Sequence, residues 1–134
     1  MTIKEVCERY HIAAGTLRYY ERVGVIPAVK RTKGGVRDYD EEAIRWVESA
    51  IFMRSAGVPI EMLVEYMRLF REGSDTLRAR RDLLEQVRAD VNAKLDSYRK
   101  TLRRLDYKIS RYDEAIRTGV LTWDKTAIPE EEPQ

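Results

Sequence analysis

The stretch TLRYYERVGVIPAVKRTKGGVRDY, Thr16 to Tyr39, decides how the chain is read. Its first half predicts a short helix from about Ala14 to Val23, with Leu17 and Tyr20 one turn apart on the inner face. Gly24 suits the left-handed position just past a helix end, and Pro27 prevents the helix from resuming. Val29, Arg31 and Lys33 then alternate up to Gly34-Gly35, and Val36, Arg37 and Tyr39 follow. Two short strands around a Gly-Gly turn, a small β-hairpin, are expected there. Between Thr16 and Arg37, the bases Arg18, Arg22, Lys30, Arg31, Lys33 and Arg37 stand against Glu21 alone. A basic cluster inside a chain of net charge +2 points to a polyanion on one face. On charge alone, an ordinary solvated surface is an equal alternative.

Upstream, Thr2-Ile3-Lys4-Glu5 fits a capping box, in which the Thr hydroxyl and the Glu carboxylate satisfy each other's backbone amides. Ile3, Val6 and Cys7 continue at helical spacing, and a break falls near Tyr10 and His11. Downstream, Asp40 is expected to cap a third helix with Glu41 and Glu42 in its first turn. Ile44, Val47, Ala50 and Ile51 form its buried stripe, and Gly57 ends it. A fourth helix begins near Pro59, buries Ile60, Leu63, Val64 and Met67, and stops by Gly73.

The last helix is expected to be capped by Ser74 or Asp75 and to run long, because no Pro or Gly follows before Gly119. Val91, Leu95, Tyr98, Leu102, Leu105, Ile109, Tyr112 and Ile116 fall at spacings of 4-3-4-3-4-3-4, a sustained heptad seam. Leu84 and Val87 extend it upstream, with a register shift between Val91 and Leu95. Such a seam needs a partner, most simply the same helix of a second copy, as in a coiled-coil homodimer. The alternative is a helix folded back on its own N-terminal domain. The organisation expected is therefore a domain over 1–73, a dimerisation helix over 74–117 and a short tail over 118–134. Val120, Leu121 and Trp123 are expected to pack before the Pro- and Glu-rich end.

Composition narrows the function classes. Charged residues make up 36% of the 134 residues, and no apolar run approaches the length of a membrane span. The start, MTIKEVCERY, has no apolar stretch behind a basic segment, so no signal peptide is expected and the location expected is cytoplasmic. A single cysteine, Cys7, leaves no intramolecular disulfide and no multi-cysteine metal site within one chain. No metal and no cofactor is expected. His11 is the only histidine, no nucleophile–base pair is visible, and Gly34-Gly35 is accounted for by the hairpin, so an enzyme is not expected.

Helix, turn, helix, basic hairpin, helix, helix is the order of a winged helix-turn-helix, making a mainly α fold with a small β-hairpin wing. TLRYYERVGVI resembles the recognition-helix signature of the MerR family of transcription regulators. GVRDYDEEAIRWV resembles that family's wing and third helix, and RSAGVPIEML its second wing and fourth helix. The resemblance covers about residues 1–116 and is nearest to the NmlR/AdhR-like subgroup. It implies a homodimer, antiparallel through the coiled coil, that binds an inverted-repeat promoter operator and distorts the DNA. It also implies a response to a stress or small-molecule effector and RNA polymerase at the promoter.

Residue by residue, Arg18 can bridge a phosphate or donate two bonds to a guanine edge. Thr16 and Tyr19 stand where short polar and phenolic groups reach phosphates or bases. Lys30, Arg31 and Lys33 line the hairpin arms, and Tyr20 is expected to face inward. Arg37 and Tyr39 on the second arm, and Arg54 at the turn before Gly57, are placed to bond the DNA backbone. The bland reading of each is a surface arginine or a core tyrosine.

The chain departs from the family pattern in several places. Ala13 stands where Ser often caps the recognition helix, and Val36 where Tyr is common in the wing. The subgroup's usual third-helix cysteine is replaced by Phe52 or a close neighbour, and Cys7 reads as an inert core residue, so thiol sensing is not expected. Nothing after residue 75 is Cys or His, which leaves no soft-metal loop, and only a short segment follows the coiled coil, which leaves no large ligand domain. Two other readings stay open: a simple dimeric repressor, and a coiled-coil scaffold that binds no DNA.

Overall fold

The computed structural model of the chain describes residues 1–123; the Pro- and Glu-rich end of the tail lies outside the described residues. The chain forms α1 (Ile3–Tyr10), α2 (Ala14–Val23), α3 (Glu41–Ser55), α4 (Ile60–Glu72), a 3-10 turn (Ser74–Thr76) and α5 (Leu77–Thr118). Met1–Arg88 make one compact unit, and the chain from Ala89 onward makes a second.

The first unit is built from local signals that the structure uses as written. The Thr2 hydroxyl accepts the Glu5 amide at 3.2 Å, and the Glu5 carboxylate accepts the Thr2 amide at 3.4 Å, closing the capping box. At the end of α1, His11 takes a left-handed backbone with φ 54°, a conformation uncommon for a residue bearing a Cβ. That reversal makes the tight turn into α2. Ala13 offers no side-chain cap to α2, as expected of an alanine there. Gly24 ends α2 at φ 90°, and Asp40 caps α3 by accepting the Ala43 amide at 2.9 Å.

These helices close over one apolar core. Val6 from α1, Leu17 and Tyr20 from α2, and Val47 and Ala50 from α3 are buried together with Val25, Ile26, Val29 and Tyr39 from the connecting segments. Cys7, Ile44, Ile51, Ile60, Leu63 and Val64 are partly buried against it. Trp46 of α3 meets Phe70 of α4 edge to face, with ring centroids 4.9 Å apart.

Two expectations change form. The hairpin contains no strand among the described residues; one antiparallel bridge, Arg31 to Arg37, and a turn with Gly35 at φ 82° close it. The return arm leaves the pairing early, because Tyr39 exchanges both backbone hydrogen bonds with Met1, its amide donating to the Met1 carbonyl at 2.8 Å. The cap expected at Ser74 or Asp75 is likewise replaced. A 3-10 turn intervenes and α5 starts at Leu77. There the Thr76 hydroxyl lies 2.6 Å from the Leu69 carbonyl and 2.7 Å from that of Gly73, and Arg80 donates to both Thr76 and the Gly73 carbonyl. The unpaired carbonyls at the end of α4 are thereby satisfied.

In the second unit every seam residue, Val91 through Ile116, is between 36% and 82% exposed. After Gly119, at φ 80°, the chain turns back. Arg111 donates to the Thr122 carbonyl at 2.7 Å, and Trp123 packs beside Tyr107 and edge-on to Tyr112, at 6.1 and 6.0 Å between ring centroids. The packing expected of this apolar segment is thus found for Trp123.

Candidate DNA-binding surface

The outer face of α2 is what remains once Leu17 and Tyr20 are committed to the core. Arg18, Tyr19 and Arg22 are exposed there, and Thr16 is half-buried at the first turn. Arg18 makes no hydrogen bond or ion pair with the described residues, so its five donors stay available. Arg22 lies over the Tyr19 ring, 5.4 Å from its centroid, which holds both side chains on this face. Sequence reasoning counted Arg22 among the basic residues but did not place it in the site. Its spacing of one turn from Arg18 was the signal that could have found it.

Beside this helix stands the hairpin. Lys33 is exposed at its tip, and Arg31 is exposed while one guanidinium nitrogen donates to the Gly35 carbonyl at 2.8 Å. Lys30 pairs with Asp40 at 2.9 Å, yet its side chain is 76% exposed, so the ammonium stays within reach of a phosphate. Surface pairs of this kind contribute little and exchange readily.

Three expected site residues are placed differently from the rest. Tyr39 is 1% exposed and belongs to the core; its hydroxyl is buried without a hydrogen-bond partner among the described residues. Burial accordingly pushes its phenol above the ordinary range. The expectation that Tyr39 bonds the DNA backbone is corrected on that ground. Arg37 is turned inward to Glu21, Nε to Oε1 at 2.7 Å, rather than outward. Arg54 is exposed, but its Nη1 donates to the Val58 carbonyl at 2.6 Å and braces the α3–α4 turn.

Glu21 is the residue that the sequence reading left without a role. One carboxylate oxygen accepts from Arg37 and the other accepts the Val29 amide at 2.9 Å. Partial burial raises its pKa, but the Arg37 hydrogen bond, the Val29 amide and the nearby charges of Arg37 and Arg31 outweigh that, and the carboxyl sits below its ordinary value. An acid standing alone among six bases was the signal.

Among the described residues, no group of three or more His, Cys, Asp and Glu is placed to hold a metal ion, and no helix is long and apolar enough to cross a membrane. Cys7 is a free, half-buried thiol.

A short helix presenting Arg and Tyr outward after a tight turn, beside a basic turn segment, has the form of a helix-turn-helix protein. Residues 1–69 match the MerR HTH family regulatory protein. The chain is 52% identical over 88 residues to the HTH-type transcriptional regulator AdhR of Bacillus subtilis, a match covering 66% of this chain and 63% of AdhR, just under two thirds of its length. It also superimposes on a MerR family transcriptional regulator from Listeria monocytogenes, with TM-score 0.84 and 42% identity, over 89% of this chain and 90% of that one. HiNmlR, a MerR family regulator lacking the sensor domain and bound to promoter DNA, aligns with TM-score 0.80 and 25% identity over 90% of this chain and 95% of its own. The chain belongs to the MerR family of helix-turn-helix regulators. Its class is that of a transcriptional regulator and not of an enzyme.

Proposed function

We propose that the chain is a promoter-binding regulator that works as a homodimer on an inverted-repeat operator. The observation that carries this reading is the exposed basic face, with Arg18, Tyr19 and Arg22 on α2 beside Lys30, Arg31 and Lys33 on the hairpin. Glu21, the acid that α2 contributes beside it, is drawn inward by Arg37. In this reading α2 enters the major groove, with Arg18 and Tyr19 at bases or phosphates and Thr16 at the first turn. The hairpin cations follow the backbone, and Arg54 approaches it from the α3–α4 turn. The relative HiNmlR, bound to promoter DNA, supports this placement.

Residues 1–73 form the DNA-binding domain in this proposal, 74–117 the dimerisation helix and 118–134 a tail. Val91, Leu95, Tyr98, Leu102, Leu105, Ile109, Tyr112 and Ile116 pair with their copies in a second chain, because an apolar seam this exposed gains by being removed from water. Antiparallel pairing holds two recognition helices at a fixed separation. Half-sites at a poorer spacing are then engaged only by bending or untwisting the duplex, at a cost of about 1–6 kcal/mol. Wing contacts from both copies offset that cost. A small-molecule or stress effector shifts the dimer between relaxed and distorting states, aligning promoter elements for RNA polymerase. The location is cytoplasmic, where the promoter is.

The test is to sequence the genomic fragments that the purified protein retains and to footprint the best of them with a chemical nuclease. A palindromic operator with hyper-reactive central bases in the activating state is expected. A footprint without central distortion in any condition, accompanied by repression alone, overturns the distortion mechanism. Failure to enrich any fragment in a salt-dependent manner overturns DNA binding itself.

A further inference from the structure

Within itself the hairpin has one bridge and a few turn hydrogen bonds, and its base is anchored by Val29 and Tyr39 in the core and by the Tyr39–Met1 backbone pair, which leaves the angle of its basic tip against α2 to polar contacts. The hydrogen bonds that join its two arms to α2 come from a single carboxylate. Glu21 leaves α2 one turn after Arg18 and grips both arms of the hairpin, the Val29 amide before the turn and the Arg37 guanidinium after it, at 2.9 and 2.7 Å. Both charged side chains are largely shielded, 14% exposed for Glu21 and 23% for Arg37. The bonds therefore face less competition from water than a surface pair does.

Electrostatics alone would remove this acid. A carboxylate among the cations of a DNA-binding face opposes the phosphates and weakens long-range attraction. Its two bonds across the hairpin are the structural return for keeping it. We propose, on the reading that α2 and the hairpin bind DNA, that Glu21 is the positioning residue of the recognition surface. It sets where Lys30, Arg31 and Lys33 fall on the backbone when Arg18 is seated in the groove. Arg37 serves as its partner rather than as a DNA contact. Glu21 itself touches no DNA.

The proposal makes an opposite-sign prediction for two kinds of DNA. Glu21→Gln keeps the shape of the side chain and an acceptor for Val29, but loses the charge that holds Arg37. Binding of Glu21→Gln and Glu21→Ala is measured on the best genomic operator and on a scrambled duplex of the same composition, each at two salt concentrations. Operator affinity is expected to fall about tenfold or more in Glu21→Ala, and less in Glu21→Gln, while scrambled-duplex affinity holds or rises. Operator and scrambled affinities that rise together overturn the proposal, since Glu21 would then be only a misplaced negative charge.

Circular dichroism and thermal melting separate a lost angle from a lost fold. Should Glu21→Ala unfold, Glu21→Gln carries the test. Arg37→Ala and the double variant Glu21→Ala/Arg37→Ala give the second readout. A double variant no weaker than Glu21→Ala supports the strut, and one that loses a further factor and flattens the salt dependence makes Arg37 a phosphate contact and overturns it. Arg18→Ala serves as the control for the underlying reading. If Arg18→Ala binds the operator normally, the placement of α2 is wrong. If it binds poorly while Glu21→Ala binds normally, only the strut is wrong.

Discussion

Arg22 lies over the ring of Tyr19, its guanidinium carbon 5.4 Å from the ring centroid, on the face of α2 that Leu17 and Tyr20 leave to solvent. The pair keeps a large, polar-tipped surface ordered one turn past Arg18, which has no such tether. In the proposed DNA-bound state, Arg18 beside the Tyr19–Arg22 pair would be placed to add its contacts to those the pair makes.

Arg18→Ala is expected to weaken operator binding by about 1–3 kcal/mol. Stability is expected to change by less than about 0.5 kcal/mol, because no intramolecular bond is lost. Titration by fluorescence anisotropy and a urea melt check the two halves. Unchanged operator affinity removes α2 as the recognition helix.

In the proposed homodimer, oligomeric state is expected to depend on the centre of the exposed seam. Leu102 and Leu105 lie mid-seam, and loss of a buried leucine costs on the order of 2–5 kcal/mol once the partner covers it. Leu102→Asp with Leu105→Asp is expected to yield monomers with weak DNA affinity. Sedimentation equilibrium decides, and an intact dimer removes the seam assignment.

Cys7 packs half-buried beside Val6 and the core. Regulation is expected to proceed without its thiol. Cys7→Ala is expected to bind the operator and answer the inducer as the parent does. A reporter strain in which Cys7→Ala abolishes induction, with protein level and operator binding intact, contradicts this.

Asp40 links stability to pH. The Ala43 amide, then Lys30, hold its carboxyl below the ordinary aspartate range. A carboxyl depressed in the folded state contributes stability that is fully present above its unfolded pKa and is lost as pH falls through the folded one, here below about pH 4. Asp40→Asn keeps a cap acceptor but cannot titrate, so its urea midpoint is expected to fall less than the parent's between neutral pH and about pH 3. Equal falls in the two proteins rule out this linkage.

The sequence alone determined the parts of this protein whose partners lie within a turn or two of chain. The Thr2–Glu5 capping box, the Asp40 cap, the Gly24 stop, the inward Leu17 and Tyr20, and the heptad seam all depend on residues a few positions apart, where backbone geometry leaves one arrangement. The family signature around Thr16–Ile26 rests on the same local regularity. Tertiary structure decided what depends on partners far along the chain. Arg37 finds Glu21 across 16 positions, and Tyr39 finds Met1 across 38, which ends the hairpin pairing and carries the tyrosine into the core. An alternating pattern in a short hairpin permits either face to turn inward. The choice falls to whichever burial and charge pairing the packed helices offer, and that is set only when α1, α2 and α3 close over the same core.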